Sequence, residues 1–313
     1  MSLLEIRAAG IWCAAGDFYL DPWAPVDRAI ITHAHSDRAR PGSRAYLTVR
    51  EGERLLRAQV GPDAAIQTVE YAEVLSLGAA RVSLHPAGHL PGSAQVRIEH
   101  GGEVWVFSGD YQLAPDATCT PFEPVRCHTF VTEATFALPV FHWPEAAETI
   151  AAIEAWWRAN QEAGRLSVLY AEAPGPAQRV LAALDRCIGP IGAHPGIEQF
   201  NRIYRGQGIE LGRLADHPTL LIAPPGTARA ANASTAMVSG WMRIRGTRRR
   251  RALDRGFVLS GHADWPALLR AIDETGAATV WATHRHGAAL ARWLEENGRR
   301  AAALETRFGE GEA

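Results

Sequence analysis

Apolar and polar residues alternate in short runs through the first part of the chain, and tight turns separate these runs. Residues 3–8, 11–14 and 17–20 predict a small meander of strands with Gly10 and Gly16 at its turns. Further strands are predicted at residues 28–32, 45–48, 81–85 and 128–131. The segments AQVRIEH and EVWVFSG flank a Gly-Gly pair, which predicts a hairpin with alternating faces.

Helical patterns are predicted at three places. The first covers residues 49–60, with Thr48 as its capping residue. The other two cover residues 145–163 and 178–188, on either side of a buried apolar strand at 168–173. Helices that alternate with apolar strands are typical of an α/β segment with a parallel sheet.

The two ends of the chain share one pattern and the middle has another. Beyond about residue 256, apolar runs again end in a histidine, in FVLSGHAD and TVWATHRH. We therefore predict an outer domain formed by residues 1–140 and 256–313, with a separate domain of residues 141–255 inserted into it.

The composition indicates a globular enzyme rather than a disordered or membrane protein. Of the 313 residues, 47% are hydrophobic and 21% are charged, and the formal net charge is -2. Any nucleic-acid binding must therefore come from a local basic patch. The four cysteines form no CxxC pair, and no signal peptide or membrane-spanning stretch is predicted. These features predict a reduced, cytoplasmic protein with no membrane partner.

The segment ITHAHSDRAR contains the strongest chemical signal. An apolar run delivers His33, His35 and Asp37 in alternation, and alternate side chains of an extended chain point the same way. Imidazole and carboxylate together suit zinc, and also manganese or iron. Taken alone, the segment is also compatible with a polar loop that carries solvated histidines.

Four more polar residues stand at the ends of apolar runs. They are His89 in HPAGHLPGS, Asp110 in VWVFSGD, His262 in FVLSGHAD and His284 in TVWATHRH. A sandwich of sheets would gather such strand ends at one edge. This repetition favours a metal site over a set of unrelated structural histidines.

With these residues the chain resembles the metallo-β-lactamase superfamily, which combines HxHxD, a lone histidine and SGD. Glu133 in VTEATF, with the later SGHAD and ATH segments, resembles the further motifs of its nucleic-acid branch, the β-CASP nucleases. The resemblance covers nearly the whole chain and is strongest to bacterial ligase-associated DNA damage response exonucleases, which are Artemis-like. It implies an αββα sandwich with an inserted β-CASP α/β domain.

The resemblance also implies a role for each residue. His33, His35 and His89 would hold a first metal, Asp110 would bridge to a second, and Asp37 and His284 would hold that second metal. Glu133 would orient His262 beside the scissile phosphate, and Asp264 would support His262 from behind. The catalytic residues implied are Asp37, Glu133, His262 and Asp264. Zinc is the expected metal, as one or two ions, with manganese or magnesium as alternatives.

Arg38 is a departure from the family pattern, which has HxHxDH where this chain has HxHxDR. An arginine has no lone pair to give to a metal. Three interpretations remain open. The enzyme works with one metal and Arg38 supplies the missing charge; or a second metal binds weakly; or the protein is impaired and only binds nucleic acid.

Residues 243–255, RIRGTRRRRALDR, concentrate positive charge. Such a patch gains free energy by releasing counterions from a phosphate backbone, although it is also compatible with a solvated loop or with pairing to acidic neighbours. The nucleic-acid contacts predicted here are Arg243, Arg245, Arg248, Arg249, Arg250 and Arg251.

Together these features predict a metal-dependent exodeoxyribonuclease of DNA repair that hydrolyses phosphodiester bonds from the 5′ end. DNA would be its substrate, as a single strand or a duplex end, and the resemblance implies an ATP-dependent DNA ligase and a helicase as functional partners. The alternatives are an RNA-processing nuclease of the ribonuclease J type, a non-catalytic nucleic-acid-binding protein and a small-molecule hydrolase. The charged stretch argues against the last of these.

Overall fold

The computed structural model describes residues 2–308, which divide into two units. The first unit contains the chain up to Pro139 and again from His262 onward, and the second contains Val140–Gly261.

A six-stranded sheet opens the first unit, with its strands in chain order. The strands are β1 Leu4–Arg7, β2 Gly10–Cys13, β3 Phe18–Leu20, β4 Arg28–Ile30, β5 Ala45–Val49 and β6 Ile66–Val69. The first three form the antiparallel meander that the alternating pattern predicts, and β3 to β6 run parallel. Because β4 is buried within this sheet, the chain that leaves it begins at a fixed position, and that chain carries the HxHxD segment.

The second sheet of this unit has seven strands in the order β18-β17-β11-β10-β9-β8-β7. They are β7 Val74–Leu77, β8 Ala80–Pro86, β9 Ala94–His100, β10 Glu103–Phe107, β11 Thr129–Thr132, β17 Thr279–Ala282 and β18 Arg300–Ala303. The turn between β9 and β10 has φ of 58° at Gly101 and 83° at Gly102, the backbone that a two-residue hairpin favours. Strands β10, β11, β17 and β18 run parallel, so their carboxyl ends share one edge.

Buried apolar clusters order the layers of the first unit. Ile11 and Leu20 of the first sheet share one cluster with Val96 and Phe107 of the second, so the two sheets face each other. Helix α1 (Glu53–Val60) covers the outer face of the first sheet. Helices α6 (Trp265–Thr275) and α7 (Gly287–Glu296) cover the outer face of the second. The unit is therefore layered as helix, sheet, sheet and helix, and the α/β prediction is confirmed.

The second unit contains a parallel five-stranded sheet in the order β13-β14-β12-β15-β16. Its strands are β12 Leu166–Tyr170, β13 Ile191–Ala193, β14 Leu220–Ala223, β15 Ala233–Val238 and β16 Arg255–Phe257. Its helices are α2 Ala146–Glu162, α3 Pro176–Ala183, α4 Pro195–Gly206 and α5 Arg245–Arg250. The parallel strands agree with the alternation of helices and apolar runs in the sequence. The division falls at residues 139 and 261, whereas the sequence placed it at 140 and 255.

The prediction of the first helix was wrong at its start. Strand β5 continues through Thr48 to Val49, a 3-10 turn follows at Arg50–Gly52, and α1 begins only at Glu53. Thr48 does not cap a helix, because its hydroxyl donates to the carbonyl of Ile31, 3.2 Å away. Pairing with the neighbouring strands therefore outweighs the local capping preference.

Candidate metal centre

Four side chains from three strand ends converge in the first unit. His33 and His35 follow β4, His89 follows β8, and Asp110 follows β10. Each offers one nitrogen or oxygen, and these four atoms all lie within 4.8 Å of one another. His33, His89 and Asp110 are buried and His35 is half-buried, so the cluster is a pocket and not a patch of surface charge.

The three imidazoles are arranged edge to face around a common point. Their ring centroids lie 4.8 to 4.9 Å apart, and their planes cross at 80° to 90°. His89 Nε2 lies 3.3 Å from His35 Nδ1, and His33 Nε2 lies 3.3 Å from Asp110 Oδ2. Ligands of a tetrahedral zinc ion, at about 2.0–2.1 Å from the metal, stand roughly 3.3–3.4 Å from each other. The spacing of these donors therefore fits a divalent metal ion.

Two buried neighbours fix the tautomer of His33. The Thr32 hydroxyl donates to Asp21 Oδ2 at 2.6 Å, and the same hydroxyl oxygen lies 3.0 Å from His33 Nδ1. Because the hydroxyl proton is committed to Asp21, the Nδ1–H of His33 donates to the hydroxyl oxygen. His33 Nε2 then keeps its lone pair and is free to act as a ligand.

Asp21 is a site residue that the sequence reasoning missed. It accepts from Thr32 through both carboxylate oxygens, is fully buried, and has a φ of 40°, which is rare for a residue other than glycine. It follows the strand β3 directly. The rule that selected His89 and Asp110, a polar residue at the end of an apolar run, would have found it.

Burial and charge set the protonation of the centre. Burial lowers the pKa of His89 well below its ordinary value, which favours the neutral imidazole that a metal requires. Burial alone would raise the pKa of Asp110, but Arg38 and then His33 hold it well below its usual range. Burial acts in the same direction on Asp37, and Arg38 again reverses it, so its pKa is also lowered.

Arg38 lies among the three side chains that the family resemblance assigns to a second metal. Its Nη2 donates to Asp110 Oδ1 at 2.8 Å and to His284 Nε2, and its Nε lies 3.2 Å from Asp37 Oδ2. Its side chain is fully buried, and the guanidinium carbon stands 3.7 Å from the centre of the Phe308 ring. These residues do not fit a second metal ion, since a fixed cation already occupies the position between their donor atoms.

His284 is presented to Arg38 in a defined tautomer. The Thr283 hydroxyl donates to the carbonyl of Thr132 at 3.1 Å and accepts from His284 Nδ1 at 2.7 Å. His284 Nε2 therefore has a lone pair, which accepts from the guanidinium. The backbone of His284 has a φ of 68°, so this orientation is held in a sparsely populated conformation.

Glu133 and His262 form a second polar group beside the first. Glu133 Oε2 accepts from His262 Nδ1 at 2.9 Å and from the Thr135 hydroxyl at 2.5 Å. Glu133 Oε1 accepts from the backbone N–H of Tyr111 at 2.9 Å. Because its Nδ1–H donates to Glu133, His262 has Nε2 on the ring side away from that carboxylate. The His262 ring lies 4.8 Å from the ring of His89.

Asp264 has a structural position in the chain. Its Oδ1 accepts from the backbone N–H of Ala267 at 3.1 Å, so it is the N-cap of helix α6. The carboxylate that contacts His262 Nδ1 is that of Glu133. The catalytic role of Asp264 stays a prediction.

The predicted nucleic-acid contacts belong to the second unit. All six of these arginines are exposed, and in the part of the chain that the structure describes none of them pairs with a carboxylate. Arg245, Arg248 and Arg249 line one cavity together with Arg255, which the six did not include. The positive charge of this stretch therefore faces solvent, and the alternative of a charge-neutralised structural cluster does not describe it.

Two further observations concern aromatic residues and membranes. Trp156 and Trp157 are buried in helix α2, and their Nε1 atoms donate to Ser234 and Thr219. Over residues 2–308, the helices are too short or too polar for any of them to span a bilayer.

Three curated proteins are similar to this chain in sequence. A "Probable DNA ligase" of Opitutus terrae is 27% identical over 312 residues, which covers 94% of this chain and 30% of that protein. Ribonuclease TTHA0252 of Thermus thermophilus is 31% identical over 135 residues, covering 33% and 31%. Endoribonuclease YSH1 of Yarrowia lipolytica is 27% identical over 141 residues, covering 44% and 16%. The chain spans less than a third of the length of these relatives.

A likeness to a solved structure also bears on the fold. No family model matches the chain. A solved protein of unknown function from Enterococcus faecalis has a TM-score of 0.57 and 13% identity, over 90% of this chain and 80% of that one. The two share a fold. The curated relatives confirm the resemblance that the histidine and aspartate motifs predict.

Proposed function

We propose that this chain, a relative of metallo-β-lactamase/β-CASP nucleases, is a metal-dependent nuclease that hydrolyses phosphodiester bonds. The observation that carries the proposal is the convergence of His33, His35, His89 and Asp110, whose donor atoms have the spacing of metal ligands. The layered first unit is then a metallo-β-lactamase domain and the second unit is the β-CASP insert.

In this proposal a metal ion and the side chains of the protein contribute different parts of the reaction. Three imidazoles and Asp110 would hold the ion, which supplies Lewis acidity toward the anionic phosphodiester. His262 is the proton carrier that we assign to the leaving oxygen, because Glu133 accepts from its Nδ1–H and its ring lies 4.8 Å from the ring of His89. Glu133 orients the His262 ring, since its carboxylate accepts from Nδ1.

DNA is the substrate that we favour, with zinc as the resident metal and attack from a 5′ end during repair. The relative that this chain matches over 94% of its own length carries a DNA ligase name, which supports DNA and a functional link to an ATP-dependent ligase. The exposed arginines from Arg243 to Arg251 would contact the phosphate backbone without reading its sequence. A helicase partner and a cytoplasmic location are further parts of this proposal.

RNA is the second candidate, because two of the relatives are named as ribonucleases or endoribonucleases. A protein that distinguishes the two polymers must sense the 2′-hydroxyl group of RNA. Competition between DNA and RNA strands of one sequence therefore separates the two proposals.

The test is cleavage of 5′-labelled and 3′-labelled DNA and RNA strands by metal-stripped protein, with Zn²⁺, Mn²⁺ or Mg²⁺ added back. We expect metal-dependent cleavage that disappears in His33→Ala and persists in His100→Ala, which removes an exposed histidine of β9. Early release of a labelled mononucleotide from the 5′-labelled strand would support the proposed polarity. Binding of DNA without cleavage under any metal would contradict the nuclease and leave a binding role.

A further inference from the structure

The Arg38 guanidinium lies where a second metal ion would have to bind. It contacts Asp37, Asp110 and His284, which are the three side chains that a second ion would need. We propose that Arg38 is a built-in cation that replaces a second metal, so that the centre binds one ion per chain. This inference rests on the proposed function for its first metal site.

Hydrogen bonds on one side and an ion pair on the other hold the guanidinium. The Nη2 group donates to both Asp110 Oδ1 and His284 Nε2, and Nε faces Asp37 Oδ2 at 3.2 Å. Arginine has N–H donors and no lone pair to give to a metal. The atoms that it contacts here, on Asp37, Asp110 and His284, are the ones that a second metal would use as ligands. Arg38 therefore takes the second ligand set instead of adding to it.

Packing keeps the side chain in place. Arg38 is completely buried, and Phe308 lies against the face of its guanidinium at 3.7 Å. The backbone N–H of Arg38 donates to the carbonyl of His35 at 3.0 Å, which ties it to the first metal site. These contacts hold the guanidinium in the space that a second ion would need.

The charges in this region also oppose a second metal ion. Asp37 and Asp110 bring two negative charges, and the guanidinium neutralises one of them permanently. A divalent ion placed among the same donors would meet a like charge at contact distance, in a region with little water to screen it. Like-charge repulsion therefore opposes a second ion even where the carboxylates attract it.

Asp110 connects the two cations. Its Oδ2 lies 3.3 Å from His33 Nε2, on the side of the first metal site, and its Oδ1 accepts from Arg38. The carboxylate thus bridges a metal position and a guanidinium, where a two-metal centre would have it bridge two ions. Arg38 is buried and does not reach substrate, so it acts as a positioning residue for Asp110 and His284.

The test counts metal ions without any nucleic acid. Metal-stripped protein is reloaded with Zn²⁺ or Mn²⁺, freed of excess ion on a desalting column, and analysed for metal per chain by mass spectrometry. We expect one ion in the wild type and two in Arg38→His, which removes the cation and adds a ligand. Arg40→His, an exposed arginine two residues away, should stay at one.

Two ions in the wild type, or one ion in a folded Arg38→His, would overturn the inference. Electron paramagnetic resonance of the Mn²⁺ forms gives a second reading, because only a two-ion centre shows a spin-coupled pair. We expect that signal in Arg38→His and not in the wild type.

A variant outside Arg38 keeps the inference testable if Arg38→His does not fold. Asp37→Asn should leave the wild-type count at one, since Asp37 binds the guanidinium and not an ion. A fall in the metal count in Asp37→Asn would overturn the inference. One ion with no cleavage of DNA or RNA would support it while contradicting the proposed nuclease, so the two failures are distinguishable.

Discussion

Asp110 divides the centre into two sides that are built in the same way but gather different side chains. On each side a threonine fixes the Nδ1 proton of the histidine that follows it, Thr32 for His33 and Thr283 for His284. Each histidine then presents Nε2 toward Asp110, at 3.3 Å and 3.2 Å respectively. The first side gathers two more imidazoles, whereas the second side contains a guanidinium.

The two sides show that a histidine can be oriented as a metal ligand and still bind another side chain. The second side retains a carboxylate and an oriented imidazole, which alone would be suitable for a metal. The buried guanidinium of Arg38 contacts both of these side chains instead. A set of potential ligands is therefore insufficient to count metal ions.

Removing one histidine from each side should give the largest contrast. We expect His89→Ala to release the bound ion and to reduce cleavage to background, because it removes one of the ligands of a site with few to spare. His284→Ala should keep one ion, since its Nε2 accepts from Arg38. Metal per chain and cleavage rate, measured on both variants, check this. Equal metal loss in both would contradict the division into two sides.

The next largest effect concerns proton transfer. We expect His262→Ala to lower kcat by about 10²–10⁴-fold, the usual range for a general acid, while the metal content stays unchanged. Asp264→Asn is the matched control, because it should alter helix capping, worth about 1 kcal/mol or less, and not the rate. A rate loss in Asp264→Asn as large as that in His262→Ala would give Asp264 the catalytic role that the sequence predicted.

Changes to the residues that orient His33 and His284 should distinguish the two sides by their effect on metal affinity. We expect Asp21→Asn and Thr32→Val to weaken metal binding by about 10–100-fold, as changes to outer-shell partners commonly do. Thr283→Val should leave the metal affinity near that of the wild type, because its histidine contacts Arg38. Titration calorimetry with Zn²⁺ measures all three affinities. A similar weakening in Thr283→Val would place a metal on the second side.

The smallest expected effect tests the exposed arginines of the second unit. In the double variant Arg248→Ala/Arg249→Ala, the slope of log binding constant against log salt should become shallower by about 0.7–0.9 for each phosphate that the protein no longer neutralises. Metal content should not change, because these side chains are far in sequence from the ligands and exposed. Arg292→Ala, on helix α7, provides a control in which an exposed arginine is paired with Glu296. An unchanged slope in the double variant would remove this stretch from the nucleic-acid surface.

Local pattern predicted the parts of the fold that depend on neighbours in sequence. The meander of β1 to β3, the Gly101-Gly102 hairpin and the helix over 145–163 all follow from periodicity and turn residues, and the structure has each within a few residues. The start of α1 was wrong because Thr48 is used by strand pairing, which the local sequence does not reveal. Helix α4, Pro195–Gly206, was not predicted, although a proline at its start signals one.

The residues expected to carry the chemistry could be predicted from the sequence, because polar residues at the ends of apolar runs are visible without knowledge of the fold. The sequence also showed that Arg38 replaces an expected ligand, yet it left three interpretations of that change. Tertiary structure decided where the guanidinium goes, because Asp37, Asp110 and His284 come from three separate segments and only folding brings them to one side chain. The same holds for Asp21, whose value to the site is a contact with Thr32 across two strands.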